Sequence, residues 1–334
     1  MEQILILRIY KTIVGIAGIL GNGLVCVVIC KVSAMQTRTN AFIFHQAVVD
    51  FLGSTLILLQ SEVPLPDPLP DSLLGFFICT MWSSNYMLFL LFTISTFNLL
   101  SLTMERYFAI VHQSKYHAAF ATRPWLKVGL IFAGCWLLGI AIKTYTALIF
   151  EFPGGRCVVR DIPSSHVIGI LTAILQYLVP ALVMLFAYIR ISVELKRRAA
   201  RLGSLSVAAN SAPSRLNGCV ACQSASGMTG SLLQARHNIF KTLLIVFITF
   251  MVCWTPNQFM FLMFNVGWLV IHDKWYYLLS VAMVATNCCV NPVIYAFQYR
   301  QFRNALRDMF GIGRRNPDSS HAMSLRSQTT DVQS

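Results

Sequence analysis

Seven stretches of this chain are apolar enough and long enough to cross a lipid bilayer as helices. A hydrocarbon core of about 30 Å takes roughly 20 residues in helical form. The stretches cover residues 13–30, 41–60, 84–104, 126–150, 167–189, 239–265 and 276–298, the first with an earliest start at Ile4. Of 334 residues, 56% are hydrophobic and only 12% charged. A soluble domain carries about 25% charged residues, so this chain cannot cover a water-facing surface. A mean hydropathy of +0.63 points the same way. The expected fold is all-α, a seven-transmembrane helix bundle. No cleavable leader is expected, because no small-residue cleavage site follows the first apolar stretch.

The stretches carry irregularities of their own. Lys127 and Lys143 bracket the charge-free centre of the fourth, and both are expected to snorkel to the interfaces. Pro180, Pro256 and Pro292 lie inside the fifth, sixth and seventh. Each would cost about 3 kcal/mol in a soluble helix, but a membrane bundle re-satisfies the freed carbonyls. They mark kinks; the prolines alone do not say whether a kink is used or merely tolerated. The Ser/Ala/Gly-rich stretch 202–232 reads as a low-complexity loop. Residues 1–12 read as a short terminal segment and 311–334 as a polar, disordered tail, flanking a membrane domain over 13–310.

Charge sets the orientation. Net charge is +13, and 20 of the 26 lysines and arginines fall on the first, third and fifth connections and the tail. The positive-inside rule puts those in the cytoplasm and the N-terminus outside. The basic balance is therefore a topology signal, and no nucleic-acid partner is expected. Of ten cysteines, only Cys79 and Cys157 fall on the outer, oxidising side, and they are expected to form a disulfide. Cys219 and Cys222 form an isolated Cys-x-x-Cys, short of the roughly four ligands zinc takes.

Two polar features inside the membrane stand out. Asp50 is the one acid deep in any stretch and must face the bundle interior. Asn22, Ser95, Asn287 and Asn291 are its candidate company. One carboxylate among neutral oxygens suits a small cation such as sodium; it equally suits hydrogen-bonded glue between helices. Glu105-Arg106-Tyr107 ends the third stretch. Adjacent acid and arginine there form either a two-position switch or an ordinary stop-transfer pair.

Taken in order, the markers form a set: Gly21-Asn22, Asp50, Cys79, Glu105-Arg106-Tyr107, Trp136, Cys157, Pro180 with Tyr188, Cys253-Trp254-Thr255-Pro256, and Asn291-Pro292-Val293-Ile294-Tyr295 with Phe302. This set resembles the rhodopsin-like (class A) G-protein-coupled receptors from residue 4 to about 310. The resemblance implies roles position by position. Arg106 contacts a heterotrimeric G protein, with Glu105, Tyr107, Asn291 and Pro292 in the switch. Tyr188 and Tyr295 swing inward in the active state. Trp254 sits beneath an extracellular ligand. Asp50, Ser95, Asn287 and Asn291 match the family's pocket for an allosteric sodium ion. Residues 299–310 form a short amphipathic eighth helix, with Phe302 toward lipid and Arg303 and Arg307 toward headgroups. Arrestin and a receptor kinase follow as partners, and the plasma membrane as the location.

The sequence also departs from the pattern. Cys79 to Arg106 is two residues longer than usual, which predicts an offset or bulge at the top of the third helix. Arg236 stands where an acid often locks the arginine. No cysteine follows the eighth helix, and no Asn-x-Ser/Thr site occurs. Retinal needs a lysine where this chain has Ala285, and an amine needs an aspartate where it has Leu88. Asn257 and Gln258 lie just above the Pro256 kink, where neutral amides can bond peptide groups. The stretch Trp254–Gln258 is similar to that of galanin, somatostatin and allatostatin receptors. With Leu88 and Trp254 these residues form the expected ligand pocket. The rim carries both signs: Glu62, Asp67, Asp71, Lys143, Arg156, Arg160, Asp161, Asp273 and Lys274. The expected ligand is a peptide. A lipid or other small molecule on Phe89, Phe92 and Phe261 is the alternative, as is Gln258 bonding only a neighbouring helix. An enzyme is not expected, because the membrane interior offers one Asp and no Ser/His/Asp set. A transporter would show two related halves, and none is visible.

Overall fold

The computed structural model describes residues 2–66, 68–160, 165–211, 219–268 and 275–311. The helices are α1 (Glu2–Lys31), α2 (Arg38–Glu62), α3 (Leu73–Phe77), α4 (Tyr86–Val111), α5 (Gln113–Ala119), α6 (Pro124–Leu148), α7 (Ser165–Ala173), α8 (Val179–Ser211), α9 (Cys219–Asn265), α10 (Trp275–Gln298) and α11 (Arg300–Met309). Seven spans are long and apolar enough to cross a membrane: Leu5–Lys31, Arg38–Glu62, Tyr86–Val111, Pro124–Leu148, Ser165–Arg201, His237–Asn265 and Trp275–Gln298. Large apolar side chains such as Ile13, Leu20, Leu130 and Leu137 point outward, while Asn22, Asp50, Asn98 and Thr103 are buried. Lipid accepts the first set, and polar groups at that depth must find partners inside the bundle.

α1 begins at Glu2, so residues 2–12, expected as a terminal segment, are helical. Contacts between distant residues hold this turn in place. Arg8 pairs with Glu62 at 2.7 Å, and the Tyr10 hydroxyl reaches Thr286 and the Ala282 carbonyl on α10. Small residues let α1 approach closely. A Cβ at Gly18 would stand 2.0 Å from Ser54 Oγ, and one at Gly21 3.0 Å from Pro292.

The predicted irregularity at the top of the third span is present. A wider π turn, Ile78–Ser83, follows α3, and Asn85 takes the left-handed conformation at φ 57° before α4 starts. The two extra residues are taken up there, and Cys79 still bonds Cys157, with Cα atoms 5.4 Å apart. That disulfide ties the third span to the hairpin of β1 (Phe150–Glu151) and β2 (Val158–Val159), which pair antiparallel.

Two prolines show how a membrane helix absorbs a missing N–H. Pro180 leaves the Gln176 carbonyl without its i+4 donor, and a π turn, Ile174–Leu178, lies in that place. Pro292 frees the Cys288 carbonyl, and Asn22 Nδ2 donates to it at 2.7 Å.

Several expectations are corrected. The backbone of 202–211 and 219–232, expected as loop, is helical. Once a helix is nucleated, each further residue adds a hydrogen bond at little cost; a lone glycine costs only about 1 kcal/mol. Phe302 does not face lipid; it is 2% exposed and packs against Tyr295, ring centroids 6.5 Å apart. Its carrier α11 leaves α10 at the extended residue Tyr299, which turns that face inward. Lys143 does not snorkel either. It is 6% exposed, with Nζ 5.4 Å from the centre of the Phe89 ring, because its stem points into the bundle.

Candidate functional site

Asp50 on α2 is the hub of a buried polar network, and every contact reaching its carboxylate is a donor. Gln46 Nε2 donates to both oxygens at 3.2 and 3.1 Å. Ser95 Oγ on α4 donates at 3.1 Å and Asn291 Nδ2 on α10 at 2.8 Å. Four such contacts match the roughly four acceptor sites of a carboxylate. The expected set is therefore only partly assembled. Asn287 is buried but makes no hydrogen bond to Asp50, and Asn22 serves the Gly18 and Cys288 carbonyls instead. Gln46, absent from the expected company, supplies two of the four contacts.

Gln46 opens a longer chain of bonds. Trp136 Nε1 on α6 donates to His45 Nε2 at 3.1 Å, so His45 carries its proton on Nδ1. That nitrogen donates to Asn98 Oδ1 at 2.9 Å, and Asn98 Nδ2 donates to Gln46 Oε1 at 2.8 Å. His45 also stacks on Phe132 with centroids 4.2 Å apart. The spans α4 and α6 are thereby joined to Asp50 on α2, and of these groups the sequence markers included only Trp136. Gln46 lies one helical turn before Asp50, and that i,i+4 spacing was the available signal.

At the opposite end from the disulfide, Glu105 and Arg106 pair with each other. Arg106 Nη2 donates to Glu105 Oε1 at 2.5 Å, and Nε donates to Oε2. Tyr116 on α5 donates to the same Oε1 at 2.5 Å. Burial, with Glu105 beside it, pushes the Tyr116 hydroxyl up to about 12, so it stays a donor at physiological pH. Arg38 lies 4.9 Å over the Tyr116 ring. Tyr107 meets His112 at 3.2 Å. Tyr188 spans three helices: its hydroxyl meets Thr103 Oγ1 at 3.2 Å and donates to the Leu243 carbonyl at 3.0 Å. The sixth span is thereby held against the third and fifth. Tyr295 is buried beside Phe302. The Tyr299 hydroxyl lies 2.7 Å from Asn40 Oδ1, joining the start of α11 to α2. Burial pushes that hydroxyl up to about 12 against the pull of Arg106. The Arg236 side chain lies outside the described residues.

Toward the disulfide end, Trp254 sits two residues before Pro256, with Phe92 5.7 Å and Phe250 5.8 Å away. Its Nε1 is buried without a partner, as is Gln176 Oε1. Gln258 Oε1 accepts from Gln176 Nε2 at 3.1 Å, and Asn257 Nδ2 donates to Ser280 Oγ at 3.2 Å. Both predicted amides thus hold neighbouring helices in this arrangement. Leu88 is half-buried against the same core. Among the rim charges, Glu62 pairs with Arg8 and Arg160 with Glu151 at 3.4 Å. Asp67, Asp161, Asp273 and Lys274 lie outside the described residues. Two surface cavities, of about 510 and 540 Å³, lie elsewhere: one beside Glu105 and Tyr116, one between Arg8 and Trp82.

An acid–arginine pair lies at one end, a buried tryptophan toward the other, and a polar network around Asp50 on α2. The model of the 7 transmembrane receptor (rhodopsin family) matches residues 21–295. The chain belongs to this receptor family. It is a multi-pass plasma-membrane receptor of the G-protein-coupled class, and not an enzyme. Human 5-hydroxytryptamine receptor 4 is 27% identical over 325 residues, covering 91% of this chain and 79% of the relative. The RYamide receptor of Drosophila melanogaster is 24% identical over 324 residues, 86% of this chain and 60% of the relative. Galanin receptor type 1 of Rattus norvegicus is 24% identical over 301 residues, 88% and 78%.

Proposed function

We propose that this receptor is activated by an extracellular peptide and passes the signal to a heterotrimeric G protein through Arg106. The observation that carries the ligand reading is the amide cluster next to Trp254. Gln176 and Gln258 pair there, while Gln176 Oε1 and Trp254 Nε1 stay buried and unpartnered. Neutral donors and acceptors of this kind match peptide groups, which both donate and accept. Relatives named for galanin and RYamide fit that reading. A relative named for 5-hydroxytryptamine raises an amine instead. Against that stands Leu88, uncharged where the family resemblance places the amine's aspartate.

Charge puts the disulfide end outside and the Glu105–Arg106 end in the cytoplasm. In this reading the Arg106–Glu105 pair is the resting position. On activation Arg106 leaves Glu105 for the G protein, and Tyr188 and Tyr295 turn into the space that the sixth span vacates; Tyr107, Asn291 and Pro292 move with them. Arrestin and a receptor kinase are further partners proposed on family grounds. Sodium, held by Asp50 with Ser95, Asn287 and Asn291, competes with the Gln46 amide and favours the resting state.

A lipid ligand is the second reading, favoured by Phe89 and Phe92, whose rings stand 6.1 Å apart and edge-on. A peptide library read by nucleotide exchange in transfected cells separates the two. Peptide activators should appear, and Gln258→Leu should lower their potency about tenfold, the cost of one buried hydrogen bond left unmade. A lipid as sole activator, equally potent on Gln258→Leu, sinks the peptide reading.

A further inference from the structure

Three charged side chains are buried among the described residues: Asp50, Glu105 and Lys143. The two acids are met by donors from several helices. Lys143 makes no hydrogen bond and no ion pair among the described residues; its Nζ lies 5.4 Å from the centre of the Phe89 ring. A ring face offsets only part of what an ammonium loses on leaving water. An ionisable residue kept at that cost inside a membrane bundle marks a functional position.

The placement says what it serves. Lys143 lies near the disulfide end of α6. Phe89 is the first of three rings in series, with Phe89 6.1 Å from Phe92 and Phe92 5.7 Å from Trp254. An apolar path therefore leads from the ammonium to Trp254. The third span has no acid between Cys79 and Glu105 to answer the charge. No second cation stands with Lys143 among the buried residues. A phosphate recruits several donors, usually arginines; one point charge beside a ring suits a single carboxylate.

We infer that Lys143 is the counter-charge for a carboxylate on the activating ligand, whose apolar part lies along Phe89 and Phe92 toward Trp254. The inference rests on the receptor reading and narrows its ligand. The carboxylate can come from a peptide, as a free C-terminus or acidic side chain, or from a fatty acid.

Two measurements test it. The first needs no ligand: thermal unfolding of purified, unliganded receptor, wild type against Lys143→Met. Removing a buried cation that no acid meets among the described residues should raise the midpoint. A lower midpoint means that Lys143 is a paired structural residue, and overturns the inference without touching the receptor reading. The second is nucleotide exchange in membranes. The probes are peptides in free-acid and neutralised pairs, and straight-chain carboxylic acids with their methyl esters. Each activator should lose at least about tenfold in potency when its carboxylate is neutralised. That loss should persist on Lys143→Arg and vanish on Lys143→Met. The pair that responds identifies the source as peptide or lipid. An activator equally potent with its carboxylate neutralised overturns the inference. If no probe activates the receptor, the unfolding result decides alone.

Discussion

Asn22 is predicted to support the seventh span at the point where Pro292 weakens it. Its Nδ2 donates to the Cys288 carbonyl at 2.7 Å and to the Gly18 carbonyl at 2.9 Å. Asn22→Ala removes both bonds and leaves the Cys288 carbonyl unpaired in a fully buried place. An orphaned buried polar group costs about 1–3 kcal/mol, while single bonds between membrane helices average about 0.6 kcal/mol. One offset works the other way: Asn22 Oδ1 is itself buried without a partner, and the substitution removes it. The expected loss is therefore about 1 kcal/mol, or roughly fivefold in the folding equilibrium. Pro292→Ala restores an N–H that the Cys288 carbonyl can use, so Asn22→Ala should cost much less in that background. Reversible unfolding in mixed micelles over the four-member cycle measures this coupling. Equal costs of Asn22→Ala in both backgrounds would show that Asn22 is not compensating for the proline.

Two further perturbations probe other parts of the molecule. Cys79→Ser and Cys157→Ser should each cost about 2–4 kcal/mol, since the bond closes a loop of 78 residues; surface delivery should fall alike for both, and additive losses in the double mutant would mean independent roles. Raising sodium should weaken agonist affinity in the wild type, not at all in Asp50→Ala, and more strongly in Gln46→Leu, which clears the competing amide; an unchanged sodium response in Gln46→Leu would remove the proposed competition.

The spans and the disulfide were legible because length, apolarity and side of the membrane are one-dimensional properties. The bulge above α4 was legible for the same reason, since two surplus residues between Cys79 and Arg106 must go somewhere. Partner choice was less legible. Ser95 and Asn291 reach Asp50 while Asn287 does not, and that depends on how α10 is rotated rather than on which residues it carries. Gln46 was missed although its spacing from Asp50 was visible, because an amide one turn from an acid is common on any helix. Lys143 and Phe302 were turned the wrong way for a related reason. Stem length allows a lysine to reach the interface and amphipathicity allows a phenylalanine to face lipid, but the packing of α6 and α11 decides which face is inside.

The most direct test of the account is guanine-nucleotide exchange on a heterotrimeric G protein, in membranes carrying either wild-type receptor or Arg106→Ala at matched surface density. With an activator found in the library screen present, the wild type should accelerate exchange, and Arg106→Ala should reduce it to the level of membranes without receptor. Full exchange by Arg106→Ala would contradict the assignment of coupling to the Glu105–Arg106 switch.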